Sequence, residues 1–288
     1  MRMANLDGRA VLVLKNGGAV DLEAASGGRF GPSPQSVLDD WAAAAEWARG
    51  CEHVGPLLAI DHARLEAPSP TPGQVIAVGL NYRAHASESG FAVPEGVPPV
   101  FTKFRSSLSG PDTTVVLPPG GQTDWEAELV VVIGSVMHNV APADVWPGVA
   151  GLCVGQDLSE RVAQLSGEVP QFSLGKSHLG FAPIGPWIVT PDEFADPDDL
   201  ELGCAIDDEV VQKGRTRDLI HPVPELISKI SQTLVLSPGD IVFTGTPAGV
   251  GIGRNPQRFL HAGERLRSWV EGIGELHQTF VAAPAASA

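Results

Sequence analysis

The hydrophobic positions of this chain fall into short runs separated by glycine and proline. Beyond residue 73, strand-like runs are "QVIAVGL", "ELVVVIG", "PWIVT", "LELGCAI", "DIVFTG" and "LRSWVEGIG". Helical spacing of apolar residues is rarer, and is found near "PADVWPGVAG" and in "PVPELISKISQTL". Because strands predominate and do not alternate regularly with helices, the pattern predicts a β-rich α+β fold with mixed sheets rather than a Rossmann sheet.

The N-terminal part of the chain has a pattern of its own. Two apolar segments, Val11–Leu14 and Ala19–Leu22, flank the turn sequence "NGG", which indicates a hairpin. The segment "SPQSVLDDWAAAAEWARG" predicts one helix, with Ser33 as its N-terminal cap and Gly50 at its end. A small N-terminal α/β unit is therefore expected.

A proline-rich stretch, "APSPTPG", covers residues 67–73 and has the composition of a linker. We therefore predict a small N-terminal domain over residues 1–70. The larger, strand-rich domain is expected to cover residues 71–288, with a frayed C-terminal tail "AAPAASA".

The charge balance narrows the range of partners. The chain has 34 acidic residues against 19 Lys and Arg, and its net charge is −15. Such a protein repels nucleic-acid phosphates and anionic lipid, so neither is an expected partner. No apolar run approaches the roughly 18 residues of a membrane span. The three cysteines are isolated in sequence, which indicates core thiols and a cytoplasmic location.

Two glutamates lie at the start of a predicted hydrophobic strand, in "TDWEAELVVVIG". Glu126 and Glu128 are two residues apart, so both side chains point to one face of an extended chain. Like charges in this position are costly to desolvate unless a positive group lies between them. The alternative is an exposed strand end at which both glutamates face water.

A third carboxylate ends the next buried-looking strand, in "GLCVGQDLSERVAQ". Asp157 would complete a set of oxygen ligands of the kind that suits Mg²⁺ or Mn²⁺. The alternative is that it only caps the following turn. His85 and Glu88 are three residues apart, so one helical turn would bring a carboxylate beside an imidazole, as suits a general base. Lys176 lies away from any charge run, and its alternative is an ordinary surface lysine.

In this order, the stretches "GLNYRAHASE", "FTKF", "TDWEAELVVVIG", "GQDLSERVAQ", "FSLGKS" and "VFTGTPAGVG" resemble the fumarylacetoacetate hydrolase family, from about Pro72 to about Val281. The resemblance implies a β-roll of mixed sheets of the type found in that family's C-terminal domain. Members are usually homodimers, so a homodimer is expected.

The resemblance also implies roles for individual residues. Glu126, Glu128 and Asp157 would hold the divalent cation, Mg²⁺ or Mn²⁺, with Ca²⁺ able to take their place in crystals. The catalytic group would comprise His85, Glu88, Lys176 and Gln164, and the substrate contacts would come from Arg161, Tyr82, Thr246 and Gly245.

The family acts on small oxo-acids. The resemblance therefore implies hydrolysis of a C–C bond in an acylpyruvate or diketo acid, by a water that the His/Glu pair activates and through a metal-stabilised enolate. An isomerase or decarboxylase of an oxo-diacid, such as oxaloacetate or a 2-hydroxy-dienedioate, is the alternative reaction. A non-catalytic small-acid-binding protein is the alternative from another class.

Overall fold

The structure is a computed structural model that describes residues 1–50, 56–88 and 96–284, without the side chains of Ala86 and Ser87. The strands are β1 (Arg2–Leu6), β2 (Arg9–Val13), β3 (Gly18–Asp21), β4 (Leu58–Ala59), β5 (Leu65–Glu66), β6 (Val75–Val78), β7 (Val100–Thr102), β8 (Leu108–Ser109), β9 (Asp112–Leu117), β10 (Thr123–Asp124), β11 (Ala127–Ile133), β12 (Val149–Gln156), β13 (Ser159–Glu160), β14 (Ala182–Val189), β15 (Glu201–Ile206), β16 (Glu209–Arg215), β17 (Ile241–Phe243), β18 (Arg265–Val270) and β19 (Gly274–Ala282).

Helices are few and short. The α-helices are α1 (Leu22–Ala25), α2 (Pro34–Leu38), α3 (Trp41–Arg49), α4 (Arg83–Glu88), α5 (Arg161–Gln164), α6 (Phe172–Gly175) and α7 (Val223–Ser231). Single 3₁₀ turns cover His62–Arg64, Arg105–Ser107, Pro142–Asp144, Trp146–Gly148, Pro191–Glu193, Thr216–Asp218 and Gly251–Gly253. No helix in the described residues is long and apolar enough to cross a bilayer.

One long mixed sheet organises the molecule. Its order is β4-β3-β2-β1-β14-β12-β11-β17-β6-β7, with β5 on β1 and β8 on β14. A second sheet has the order β16-β15-β18-β19-β9, and β10 pairs with β13. The pairs β17/β6, β14/β8 and β19/β9 are parallel and the others antiparallel. The predicted β-rich, mixed-sheet α+β fold is confirmed.

Strand β11 is buried on both faces. Leu129 and Val131 point into one hydrophobic cluster, together with helix α7, whereas Val130 and Val132 point into a second cluster below the N-terminal helices. A strand between two cores accepts apolar residues at every position, which explains the run "LVVVI". Polar side chains at the N-terminal end of β11 therefore lie in surroundings from which water is excluded.

The N-terminal segment joins the long sheet. The predicted hairpin is confirmed as β2 and β3, and β1 pairs with β14 through Arg2↔Val189 and Met3↔Ile188. The residues of the proposed linker pack on the body, where the Ser69 hydroxyl donates to the Gly239 carbonyl at 2.7 Å. The domain boundary at residue 70 therefore stays a prediction, since the sheet continues across it.

Two helix predictions need correction. The segment from Ser33 to Gly50 forms two helices, because Asp40 leaves the helical conformation (φ −125°, ψ 42°) and starts α3. Aspartate competes with the helix backbone for hydrogen bonds, which favours such a break. Near Trp146 the chain forms two 3₁₀ turns in place of an α-helix, since Pro147 lacks the N–H that a continuous helix requires.

Candidate active site

Three carboxylates converge where β11 and β12 meet. Glu126 directly precedes β11, Glu128 is its second residue, and Asp157 directly follows β12. The antiparallel register pairs Ala127 with Gln156, so the Asp157 N–H donates to the Glu126 carbonyl at 2.9 Å. One oxygen from each carboxylate lies within 4.8 Å of the others, and all three side chains are buried. The exposed strand end is thereby excluded.

The positive group that the paired glutamates require is present. The Lys176 ammonium donates to Glu126 Oε2 at 2.8 Å and to Asp157 Oδ2 at 2.6 Å. A second buried ammonium, that of Lys103, donates to Asp157 Oδ1 and to the Lys176 carbonyl. Lys176 is therefore no surface lysine. Our sequence reasoning missed Lys103, whose signal was a lone lysine within the apolar run "VFTKF".

Arg161 closes the other side of Glu126. Its guanidinium donates to Glu126 Oε1 at 2.7 Å, to Gln164 Oε1 at 2.8 Å and twice to Asp124 Oδ2. Asp124 in turn accepts backbone N–H bonds from Gly251 and Ile252. Sequence reasoning missed Asp124 as well, because its partners Arg161, Gly251 and Ile252 lie 37 to 128 residues away along the chain.

These charges shift the pKa values of Glu126 and Glu128 in opposite directions. Burial raises the pKa of Glu126, but the charges of Lys176 and Arg161 outweigh it and hold that pKa well below its usual range. For Glu128, burial raises the pKa well above its usual range, and the neighbouring Asp157 and Glu126 raise it further. The repulsion between the carboxylates therefore raises mainly the pKa of Glu128, and the neutral form of this group is favoured.

The two lysines also differ. Burial lowers the pKa of Lys176, but Asp157 and Glu126 more than offset this and raise it, so its ammonium form is favoured. For Lys103, burial lowers the pKa, and the attraction of Asp157 offsets this only in part. Lys176 is therefore a permanent positive charge in the centre of the cluster.

The short helix α4 carries His85 and Glu88, as their spacing predicted. His85 Nδ1 lies 3.9 Å from Glu88 Oε2, and this ring nitrogen has no hydrogen-bond partner among the described residues. Glu88 Oε2 is fixed by the Gly249 N–H at 2.9 Å. Burial raises the pKa of Glu88, but His85 and the Gly249 N–H outweigh it and lower that pKa. The carboxylate is thus anchored beside the imidazole.

A cavity of about 490 Å³ joins these groups. Most of the predicted site residues line it, namely His85, Glu88, Glu126, Arg161, Gln164, Lys176 and Thr246. Tyr82, Gly245, Glu128 and Asp157 do not line it, and the last two are buried in the carboxylate cluster. The side chain of Tyr82 packs in the hydrophobic core, because its ring is largely apolar and the residue comes shortly after the buried strand β6. Its backbone pairs with that of Leu219. The Gly245 N–H instead donates to Glu128 Oε2 at 2.7 Å.

Asn81 ties the His85 helix to the carboxylate cluster. Its fully buried amide donates to the carbonyls of Thr244 and His221, and accepts the His221 N–H at 2.9 Å. Asn81 also packs on Gly245, at which an added Cβ would lie 2.9 Å from the Asn81 Cβ. The preceding Leu80 has φ 55°, a left-handed conformation that costs a leucine free energy. Three hydrogen bonds therefore hold a strained turn in place.

The carboxylate trio fits a hard divalent cation. Three carboxylates provide only oxygen donors, and no histidine or thiolate belongs to the group. Mg²⁺ and Mn²⁺ prefer such ligands, whereas Zn²⁺ sites usually include nitrogen or sulfur. Glu126, Glu128 and Asp157 are thus the residues that would hold the ion. A buried carboxylate–cation cluster beside a His–Glu pair is typical of an enzyme's active centre.

Comparison with known proteins agrees with this class. The family model described as "Fumarylacetoacetate (FAA) hydrolase C-terminal" matches residues 74–281. A curated human relative, "Oxaloacetate tautomerase FAHD2A, mitochondrial", is 40% identical over 220 residues, which cover 76% of this chain and 70% of that protein.

Two solved structures are also similar. One is from Mycobacterium smegmatis and is described as a "putative HpcE protein". It has 54% identity and a TM-score of 0.94, and the match covers 99% of this chain and 100% of the other. The second is maleylpyruvate hydrolase from Sphingobium sp. SYK-6 in complex with manganese(II) and pyruvate. It has 32% identity and a TM-score of 0.78, with the same coverage. The chain therefore belongs to the fumarylacetoacetate hydrolase family.

We expect the Glu128→Gln variant to change the pH dependence of stability in chelator. The native pKa of Glu128 is raised, so the wild-type protein loses stability as pH rises from the unfolded value near 4.3 toward the native pKa. Glutamine keeps an acceptor for the Gly245 N–H but does not titrate. The variant should be more stable than wild type by roughly 1–3 kcal/mol at pH 8, and by less at pH 5.

Thermal melts in EDTA and in Mn²⁺ measure this difference. Mn²⁺ should raise the melting temperature of wild type but much less that of Glu128→Gln, since a ligand has been removed. The matched control is Glu168→Gln, which changes an exposed glutamate outside the cluster. Parallel pH profiles for wild type and Glu128→Gln would contradict the assignment.

Asn81→Asp tests the link between the His85 helix and the cluster. Aspartate keeps the volume but cannot, when ionised, donate to the Thr244 and His221 carbonyls. We expect a loss of about 1–3 kcal/mol of stability. We also expect kcat to fall about tenfold or more with little change in KM, because the imidazole of His85 is displaced. Asn139→Asp, at an exposed left-handed position, is the control. A stability loss at unchanged kcat would reduce Asn81 to a structural residue.

Proposed function

We propose that this protein is a divalent-metal-dependent hydrolase that cleaves an acylpyruvate, or a related diketo acid, to pyruvate and a carboxylic acid with consumption of one water. One observation carries the proposal. A histidine with an anchored carboxylate, His85 and Glu88, opens into the same cavity as the carboxylate and ammonium groups of Glu126 and Lys176. Water activation and acid binding are thus supported within one cavity.

The His–Glu pair would supply the base. His85 would take a proton from a water as that water attacks the distal carbonyl of the substrate. Glu88, fixed by the Gly249 N–H, would orient the imidazole and stabilise its protonated form. The distance of 3.9 Å between Nδ1 and Oε2 is longer than a hydrogen bond, so a small closure on substrate binding is part of the proposal.

Donors on the opposite wall would stabilise the charge that develops. Lys176 is held by Glu126 and Asp157 in its ammonium form, and Gln164 is oriented by Arg161. A fixed donor of this kind typically contributes a few kcal/mol to transition-state stabilisation. The Thr246 hydroxyl, which donates to the Ala127 carbonyl, adds a polar group beside Glu126.

Mg²⁺ or Mn²⁺, held by Glu126, Glu128 and Asp157, would act as a Lewis acid and as a template for the oxo-acid group. The manganese(II) and pyruvate of the Sphingobium maleylpyruvate hydrolase structure support this role for a divalent ion. The acid to be bound is therefore small and carries a 2-oxo group.

A second candidate is keto–enol tautomerisation of an oxo-acid such as oxaloacetate. The human relative with 40% identity is an oxaloacetate tautomerase, which supports this candidate. His85 would then move a proton between carbon and oxygen without any attack by water. The same cavity and base serve both reactions, so the fate of the carbon skeleton distinguishes them.

We expect the purified protein with Mg²⁺ or Mn²⁺ to convert acetylpyruvate to acetate and pyruvate. Enol absorbance and product analysis follow the reaction. His85→Gln and Glu88→Gln should each lower kcat about 100-fold, the usual scale for loss of general-base assistance, and leave metal-dependent thermal stabilisation intact. His138→Gln, an exposed histidine, is the matched control.

Oxaloacetate provides the opposing outcome. Loss of its enol absorbance with no loss of carbon, together with no cleavage of acetylpyruvate, would replace hydrolysis by tautomerisation. Release of CO₂ would indicate decarboxylation. Inactivity on both acids would favour a binding protein.

A further inference from the structure

Much of the cavity wall is apolar. The rings of Phe101, on β7, and Phe172, at the start of α6, meet edge to face with centroids 5.5 Å apart. The Phe101 ring centre lies only 5.1 Å from the Lys176 nitrogen, so this aromatic pair stands directly beside the polar centre. The apolar side chains of the lining are those of Val78, Leu80, Pro99, Phe101, Leu165, Phe172 and Ile252. Such a wall is suited to an alkyl or aryl group.

The cations of the cavity are committed to the carboxylate cluster. In the described lining, the permanently charged cations are Arg161 and Lys176. Arg161 directs four of its five N–H groups to Asp124, Glu126 and Gln164. Lys176 directs two of three to Glu126 and Asp157. The N–H groups of Arg161 and Lys176 that these bonds leave unused lie next to Glu126, where the 2-oxo acid group would bind.

In the part of the chain that the structure describes, the segments next to the cavity add no cation to its lining. Arg254 follows the lining residue Gly253, but its guanidinium donates to Glu209 Oε1 at 3.3 Å and to the Val211 carbonyl at 3.2 Å. The sequence of residues 86–95, which follows His85, contains no Lys, Arg or His. Arg83, two residues before His85, is exposed and does not line the cavity, whereas the Glu88 carboxylate does line it and would repel a second carboxylate.

We propose that the site selects 2-oxo acids with an uncharged alkyl or aryl distal group and rejects those that carry a second carboxylate. This inference deepens the proposed function and rests on it for the binding of the 2-oxo acid group. A terminal carboxylate would lose its hydration against Phe101, Phe172 and their neighbours without gaining a counter-ion. The cavity volume, about 490 Å³, lies in the range that takes ligands much larger than a four-carbon acid.

The effect of the distal group on affinity can be measured with a matched pair of acids that cannot undergo acylpyruvate cleavage. 2-Oxohexanoate and 2-oxoadipate have the same six-carbon chain and differ only in a terminal methyl or carboxylate. Calorimetric titration of the full chain loaded with Mn²⁺ should give at least tenfold tighter binding for 2-oxohexanoate. Equal affinities, or tighter binding of 2-oxoadipate, would overturn the proposal and leave hydrolysis of acetylpyruvate unaffected.

A positive charge placed on the apolar cavity wall tests whether this wall causes the preference for uncharged distal groups. Leu165 directly follows α5 and is 43% exposed, so a long polar side chain fits there without burial. Leu165→Arg should narrow the affinity gap at least threefold by strengthening 2-oxoadipate binding, whereas the uncharged control Leu165→Gln should not. An unchanged gap in Leu165→Arg would overturn the assignment to this wall.

Two further outcomes separate this proposal from the proposed function. If neither acid binds to protein that still binds Mn²⁺, the 2-oxo acid site itself is refuted, and the preference for the distal group falls with it. If both acids bind with the expected ratio but acetylpyruvate is not cleaved, the preference stands and hydrolysis is refuted.

Discussion

The structure depends on the neutralisation of buried carboxylates by buried cations. Asp124, Glu126, Glu128 and Asp157 are at most 6% exposed, and isolated ions in this position would cost several kcal/mol each. The compensating cations are Lys103, Lys176 and Arg161, all of them buried. Because each cation contacts two or more partners, the loss of one cation would break several contacts of the cluster at once. The same contacts bring together the ends of β11 and β12 and the helix α5.

Backbone groups complete this cluster and couple it to helix α4, which carries His85 and Glu88. Glu128 and Asp124 accept N–H bonds from Gly245 and Gly251, two residues of one glycine-rich loop. An N–H group of the same loop, that of Gly249, fixes Glu88. The loop therefore positions a carboxyl of the proposed metal site, the partner of Arg161 and the partner of the histidine. Glycine suits Gly249 and Gly245, where φ exceeds 100°.

Local sequence patterns predicted the elements but not the contacts between them. The strand runs, the single turn bearing His85 and Glu88, and the shared face of Glu126 and Glu128 follow from short-range periodicity. Lys103 and Asp124 were missed because their roles arise from pairing over tens to hundreds of residues. The continuation of the sheet into β1 likewise depends on packing, which no local pattern records.

A charge count connects the metal site with the kind of acid that fits. Four ionised carboxylates against three cations leave the cluster at −1, and a neutral Glu128 brings it to zero. A divalent ion bound to ionised Glu128 would bring it to +1. One carboxylate of an oxo-acid then restores neutrality, whereas a second would leave an uncompensated anion in the apolar cavity. The balance that stabilises the buried cluster and the apolar wall beside Lys176 therefore favour the same ligand, a monoanion with an uncharged distal group.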